Sequence, residues 1–165
     1  QGLSEYSIAA SASAIYFQDP VELAASGTIT VAAASDALLG SLNGVFFTDA
    51  SSSKPTFANH LDASNTATDI VGFVSDDPYE RFEIQADGAT AAADVGLNAD
   101  IVYAAGSSPD YVSKVELQTS DQKTGTAQLR ILAISKDPDN NTAGSANVNL
   151  VVLINEHQLK ATAGV

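Results

Sequence analysis

The sequence predicts an all-β fold with a single short helix, and three observations carry that prediction. Apolar runs are short, rich in β-branched and aromatic residues, and separated by clusters of Gly, Pro, Asn, Asp and Ser. Alanine is abundant, yet it does not recur at helical spacing over any long stretch. The length of 165 residues suits one domain, and 45% hydrophobic residues are enough to build its core.

The chain opens with Tyr6–Ser7–Ile8 and Ala14–Ile15–Tyr16–Phe17, apolar residues spaced among Ser and Ala with too little bulk for a core of their own. Residues 1–18 therefore read as an N-terminal arm, expected to be poorly ordered in a free subunit. Tyr6, Ile8, Ile15, Tyr16 and Phe17 are its candidate assembly contacts, with β-addition onto a neighbour satisfying its backbone. The bland alternative makes the same segment the first strand pair of the domain. Residues 19–165 read as a single β-rich unit.

Asp19–Pro20 turns the chain, and residues 21–32 form a hairpin about Ser26–Gly27, with Thr28–Ile29–Thr30–Val31 alternating cleanly. Gly44–Thr48 is the next strand. Residues 49–68 lack periodicity and read as a long exposed loop. Pattern resumes at Asp69–Val74 and again at Arg81–Gln85, where Phe82 and Ile84 face inward. Ala89–Val95, bounded by Gly88 and Gly96, has the propensity for the one helix, too short to stand without docking on a sheet. Asp100–Ala104 and Tyr111–Gln118 are strands on either side of the Gly106–Pro109 turn. Residues 127–134 and 148–154 are nearly continuously apolar, the mark of strands at a sheet centre or covered on both faces.

Composition excludes several classes. The formal charge of −13 rules out nucleic-acid binding by phosphate neutralisation, and 45% hydrophobic residues are too many for a disordered acidic tail. With no Cys, Met or Trp, disulfide frameworks, thiolate metal sites and cysteine nucleophiles are out. No apolar run approaches the roughly 20 residues of a membrane helix, and Gln1–Gly2–Leu3 does not open a signal peptide. The charge is uneven. Residues 1–80 hold one Lys and ten acids (1 − 10 = −9), and residues 81–165 hold six cations and ten acids (6 − 10 = −4). An acidic face of this kind repels its own kind and DNA, or docks on a basic partner; its plainer use is solubility.

The candidate chemical constellations fall short. Asp137–Pro138–Asp139–Asn140–Asn141 alternates hard oxygen ligands, but the calcium-loop template needs Gly where Thr142 stands and Glu where Val148 stands. Turn geometry is the simpler reading. Asp76, Asp77 and Glu80 crowd three carboxylates around Pro78, yet adjacent residues of an extended segment point to opposite sides. No Gly-x-Ser-x-Gly elbow and no glycine-rich phosphate loop occurs. His60 in a loop and His157 beside Glu156 are read as surface or packing residues. No catalytic, cofactor-binding or metal-ligating residue is expected.

Asp76–Asp77–Pro78, Phe82–Glu83–Ile84–Gln85–Ala86–Asp87–Gly88, Ala91–Gly96, Thr126–Leu132 and Asn155–Glu156–His157 together resemble structural proteins of tailed bacteriophages of marine and freshwater bacteria. Asp19–Pro20–Val21, Gly27 and Gly44–Val45 are similar to the opening of capsid decoration, or cement, proteins. The resemblance spans most of the chain, best over 69–157, and departs from the family in the Ser-rich loop 49–68. It implies a compact β-barrel or β-tulip-like sandwich with an extended N-terminal arm. It also implies a structural virion protein on the outer surface of the capsid, binding the major capsid protein lattice and itself, as a homo-trimer. Neither nucleic acid nor membrane is an expected partner, and no cofactor is expected. The alternatives are a tail-tube or head-fibre subunit, which would form rings with a lumen in the first case, or a bacterial surface or pilus β-domain, which would leave an unfilled groove. An enzyme would instead gather polar groups in a cleft.

Overall fold

The computed structural model describes residues 2–160. Strands make up 39% and helical turns 6% of the chain, so it is an all-β protein. The first sheet holds β1 (Ser4–Ser7), β2 (Pro20–Leu23), β3 (Ile29–Val31), β4 (Gly40–Thr48), β5 (Pro55–Ala58) and β6 (Val71–Ser75). Its order is β1-β6-β4-β2-β3, with β5 paired to the far half of β4. The second sheet runs β7-β12-β11-β8, from β7 (Arg81–Gln85), β8 (Asn98–Ala99), β11 (Leu129–Ile134) and β12 (Asn149–Ile154). A two-stranded ribbon joins β9 (Ile101–Val102) to β10 (Glu116–Leu117). Every ladder is antiparallel. The sheets do not close into a barrel.

Each sheet covers its own core. Val21, Ile29, Leu42, Val45 and Val74 fill the inner side of the first. Ile131, Leu150 and Val152 fill the second, where Leu117 and Ile101 from the ribbon and Ala32 and Leu38 from the β3–β4 link join them. Backbones approach closely in the first sheet. A Cβ on Gly40 would lie 2.1 Å from the Ser75 carbonyl oxygen, and one on Gly72 would lie 2.8 Å from Ile29 Cδ1. The first clash is with backbone, so only glycine fits at position 40; at position 72 the Ile29 side chain would have to move.

Two glutamines fasten the halves. Gln128, fully buried, accepts from the Ile101 N–H (3.0 Å) and donates to the Ala33 and Asp36 carbonyls (2.8 and 2.7 Å). Gln158 pairs with both backbone groups of Leu23 on β2, at 2.7 and 3.0 Å, as a strand would. The segment after β12 therefore locks back onto the first sheet.

The 21–32 hairpin forms as expected, with Val21 opposite Val31 and Gly27 at φ +78°. The strands at 127–134 and 148–154 lie at the centre of their sheet, but they are buried on one face only: Arg130 and Ala133 are exposed while Ile131 is not. The expected helix at 89–95 is reduced to one 3-10 turn, Ala92–Asp94. The Asp94 carboxylate caps the Ala91 N–H at 2.7 Å, and Gly96, at φ +99°, turns its N–H to the Ile131 carbonyl, so the chain joins the sheet before a second turn can form. The strands expected at 100–104 and 111–118 shrink to the two-residue pairs of the ribbon.

Residues 49–68 are not one exposed loop. Asp49 nucleates a tight turn by accepting from Ser51 and Ser52, β5 returns along β4, and Leu61 and Ala67 are buried. Nor are the described residues of the expected arm, 2–18, free; Gln1 lies outside the described residues. β1 adds to the edge of β6, and Ile8 and Ile15 are 4% and 1% exposed within their own chain's core. The physical reason is local: Gly72 leaves a hollow that Ile8 Cδ1 reaches, and Ile15 bridges to Leu61. Among the described residues, no helix is long and apolar enough to cross a membrane.

Candidate functional site

In an antiparallel sheet with one covered face, the other face is normally polar. The first sheet breaks that rule at one place. On β4, Val45 and Phe47 point into the core and Phe46 points out; on β5, Ala58 points in and Phe57 out; on β6, Gly72 and Val74 point in, leaving Val71 and Phe73 outside. The register sets Phe46 opposite both Phe57 and Val71. The rings touch: Phe46 and Phe57 centroids are 4.7 Å apart, and Phe57 and Phe73 lie 6.4 Å apart, nearly parallel. Phe57 is 74% exposed, on a strand paired only with β4. A contiguous aromatic strip that ends on a sheet edge marks an interaction surface.

The charge around this strip is one-sided. Glu5 stands beside Phe73 in the β1–β6 register. Asp49 and Asp69 sit at the Thr48 end, where the Thr48 hydroxyl and N–H hold the Asp69 carboxyl below its ordinary range. The Ser51 and Ser52 hydroxyls and N–H groups hold Asp49 at about 2. Lys54 is the one Lys or Arg within residues 1–80. The sequence did not single out Phe46, Phe57 and Phe73. Their signal was the Phe46–Phe47 doublet, which must put one ring on each face of any strand.

The expected assembly residues are divided by the fold. Ile8 and Ile15 are core. Tyr6 packs against the same core and donates its hydroxyl to Asp76 (2.6 Å), which also accepts from Ser4 (2.9 Å). Burial, then that carboxylate, pushes the Tyr6 hydroxyl up to about 12. Tyr16 and Phe17 are half-buried. Tyr16 belongs to a second aromatic group with His60 and Tyr111, in which the His60 and Tyr111 rings stack at 3.9 Å and 6°. Behind it Asp19 is fully buried, accepting from the Tyr16 N–H at 2.8 Å while its other oxygen lacks a partner. Burial pushes its pKa above the ordinary 3.8.

The other acidic constellations serve turns. Asp77 accepts from the Tyr79 N–H, and Glu80 accepts from Ser75. Asp137 accepts from the Asp139 N–H, and Asn140 clamps Asn147 and Asn149. Among the described residues, no three His, Asp or Glu side chains gather as metal ligands. His157 is buried, its Nδ1 accepting from the Leu159 N–H and its Nε2 unpartnered. A groove of about 950 Å³ runs between the two sheets, floored by Leu38, Ile101 and Val152 and rimmed by Arg81, Lys114 and Glu116. Leu38, Ile101 and Val152 are buried, while Phe82, Ile84 and Val115, which also line it, are partly buried.

Comparison of the chain with protein-family models, with curated proteins and with solved structures finds no match.

Proposed function

We propose that this chain is a structural virion protein that decorates and stabilises an icosahedral phage head by binding the lattice of its major capsid protein. The observation that carries the reading is the exposed aromatic strip centred on Phe57, on the open edge of an otherwise well-packed sheet. A lone domain leaves the Phe57 ring in water, with Phe46 and Phe73 half-buried beside it, whereas an assembled subunit would bury it. Burying the Phe57 ring alone contributes about 1.5–3 kcal/mol, and repetition of the contact over a lattice multiplies the effect through avidity. The similarity of Asp19–Pro20–Val21, Gly27 and Gly44–Val45 to decoration proteins supports the same reading, as does the acidic surface. Self-association as a trimer belongs to the proposal, with half-buried Tyr16 and Phe17 as the members of the N-terminal set whose surface is still in reach of a neighbour.

Co-sedimentation with shells freed of this chain tests it. Wild-type protein pellets with shells to a saturating, stoichiometric level, and Phe57→Ser lowers occupancy at limiting protein by about tenfold or more, as expected of a central aromatic anchor. Wild-type protein left in the supernatant at every concentration would overturn the proposal.

A further inference from the structure

We infer that β5 and the Phe46–Phe57–Phe73 strip form the docking platform for an extended, lysine- or arginine-flanked segment of the partner, laid along the β5 edge. The inference deepens the decoration reading and rests on it only for where the partner resides. Three observations carry it. β5 pairs with β4 on one side alone, and none of its backbone groups bonds to any other described segment. An edge of this kind takes an added strand through backbone hydrogen bonds, and alternate side chains of that strand find pockets beside it. Phe57, 74% exposed between Phe46 and Phe73, provides the apolar floor.

Charge then selects the occupant. Glu5, Asp49 and Asp69 stand around the platform, and Lys54 is the one Lys or Arg within residues 1–80. A second copy of this chain would bring its own net −13 to the same place, and like charges across an interface oppose association. An apolar strand with cationic flanks meets both the floor and the rim. Lys54 and Pro55 blunt one end of the edge. The Asp49 N–H to Lys54 carbonyl bond sets a register in which Thr56 and Ala58 direct their backbone groups to β4. The free edge therefore offers the N–H and carbonyl of Phe57, and the aromatic floor carries most of the binding.

The test uses isotope-labelled full-length protein and a synthetic probe, acetyl-Lys-Thr-Val-Thr-Val-Thr-Lys-amide, with a glutamate-flanked twin as control. The lysine probe at millimolar concentration shifts the backbone amide resonances of Thr56, Phe57 and Ala58. The glutamate twin binds at least about tenfold more weakly, and so does the lysine probe on Phe57→Ser protein. Glu5→Lys, a change at an exposed position beside Phe73, weakens the lysine probe by up to about fivefold. Equal response to both probes, shifts confined to other regions, or no shift at all would overturn the inference. So would concentration-dependent shifts of the same amides without probe, which would assign the platform to a second copy. A chain that coats shells while β5 ignores the probe loses this inference and keeps the decoration reading. A β5 that takes the probe in a chain indifferent to shells does the reverse.

Discussion

Replacing Gln128 with alanine tests how the two sheets are held together. The side chain is fully buried and makes three hydrogen bonds, to the Ile101 N–H and to the Ala33 and Asp36 carbonyls. Ala33 is exposed and Asp36 half-buried, so water can replace the lost donor at lower cost than at a fully buried group. Ile101 is 1% exposed, so its N–H is left buried and unpaired, a penalty of about 1–3 kcal/mol. Loss of the Cγ methylene adds about 0.8 kcal/mol. Gln128→Ala therefore lowers stability by about 2–4 kcal/mol, and Gln128→Leu, which keeps the volume, by about 1–3 kcal/mol. Urea unfolding monitored by tyrosine fluorescence and circular dichroism reads both, with an unchanged dependence on denaturant. If both variants fall within about 0.5 kcal/mol of wild type, the polar clamp contributes nothing. If leucine fully restores the alanine loss, packing alone accounts for the site.

Gly40→Ala forces β4 away from Ser75, because its Cβ would lie 2.1 Å from that carbonyl oxygen; a loss of about 1–3 kcal/mol or more is expected in thermal melts, and a neutral result would contradict the packing of β4 on β6. Ile15→Ala lowers stability by about 2–5 kcal/mol, since Ile15 is core, whereas a free arm would show no change. The pH dependence has a defined sign. Burial, with Lys160 nearby, holds His157 below its ordinary 6.5, so the unfolded chain binds the extra proton. Its contribution is complete above pH 6.5 and is lost as pH falls through the folded value. Asp49, Asp69 and Asp121, held below 3.8, add their losses only in stronger acid. Asp19, raised by burial, acts oppositely: its penalty develops as pH rises from 3.8 through its folded value. Denaturant midpoints between pH 5 and 7.5 should fall with acid in wild type and flatten in His157→Met; unchanged slopes would remove His157 from the account.

Much of this fold is legible because it is written in local chemistry. The alternation in Arg81–Gln85, the Ser26–Gly27 turn and the apolar runs that became β11 and β12 each specify a strand without reference to the rest of the chain. What escapes depends on partners distant in sequence. Residues 55–58 carry no strand period of their own, and become β5 because Phe46–Thr48 offers a register and Asp49 fixes the turn. Ile8 and Ile15 look too sparse to form a core until Gly72 and Leu61, far along the chain, complete it. The Ala89–Val95 propensity for helix loses to the pairing of Gly96 with Ile131. The interaction surface was missed for a related reason: which face Phe46 and Phe73 occupy follows from a register that no short window contains.

The most direct measurement is electron cryomicroscopy of shells incubated with this protein to saturation. The account predicts added density on the outer surface of the icosahedral lattice, repeated at equivalent lattice positions, into which the two-sheet domain fits with the Phe57 strip turned toward the major capsid protein. Density that forms a tube with a lumen, that sits on shells with Phe57 facing solvent, or that is absent from saturated shells would contradict it.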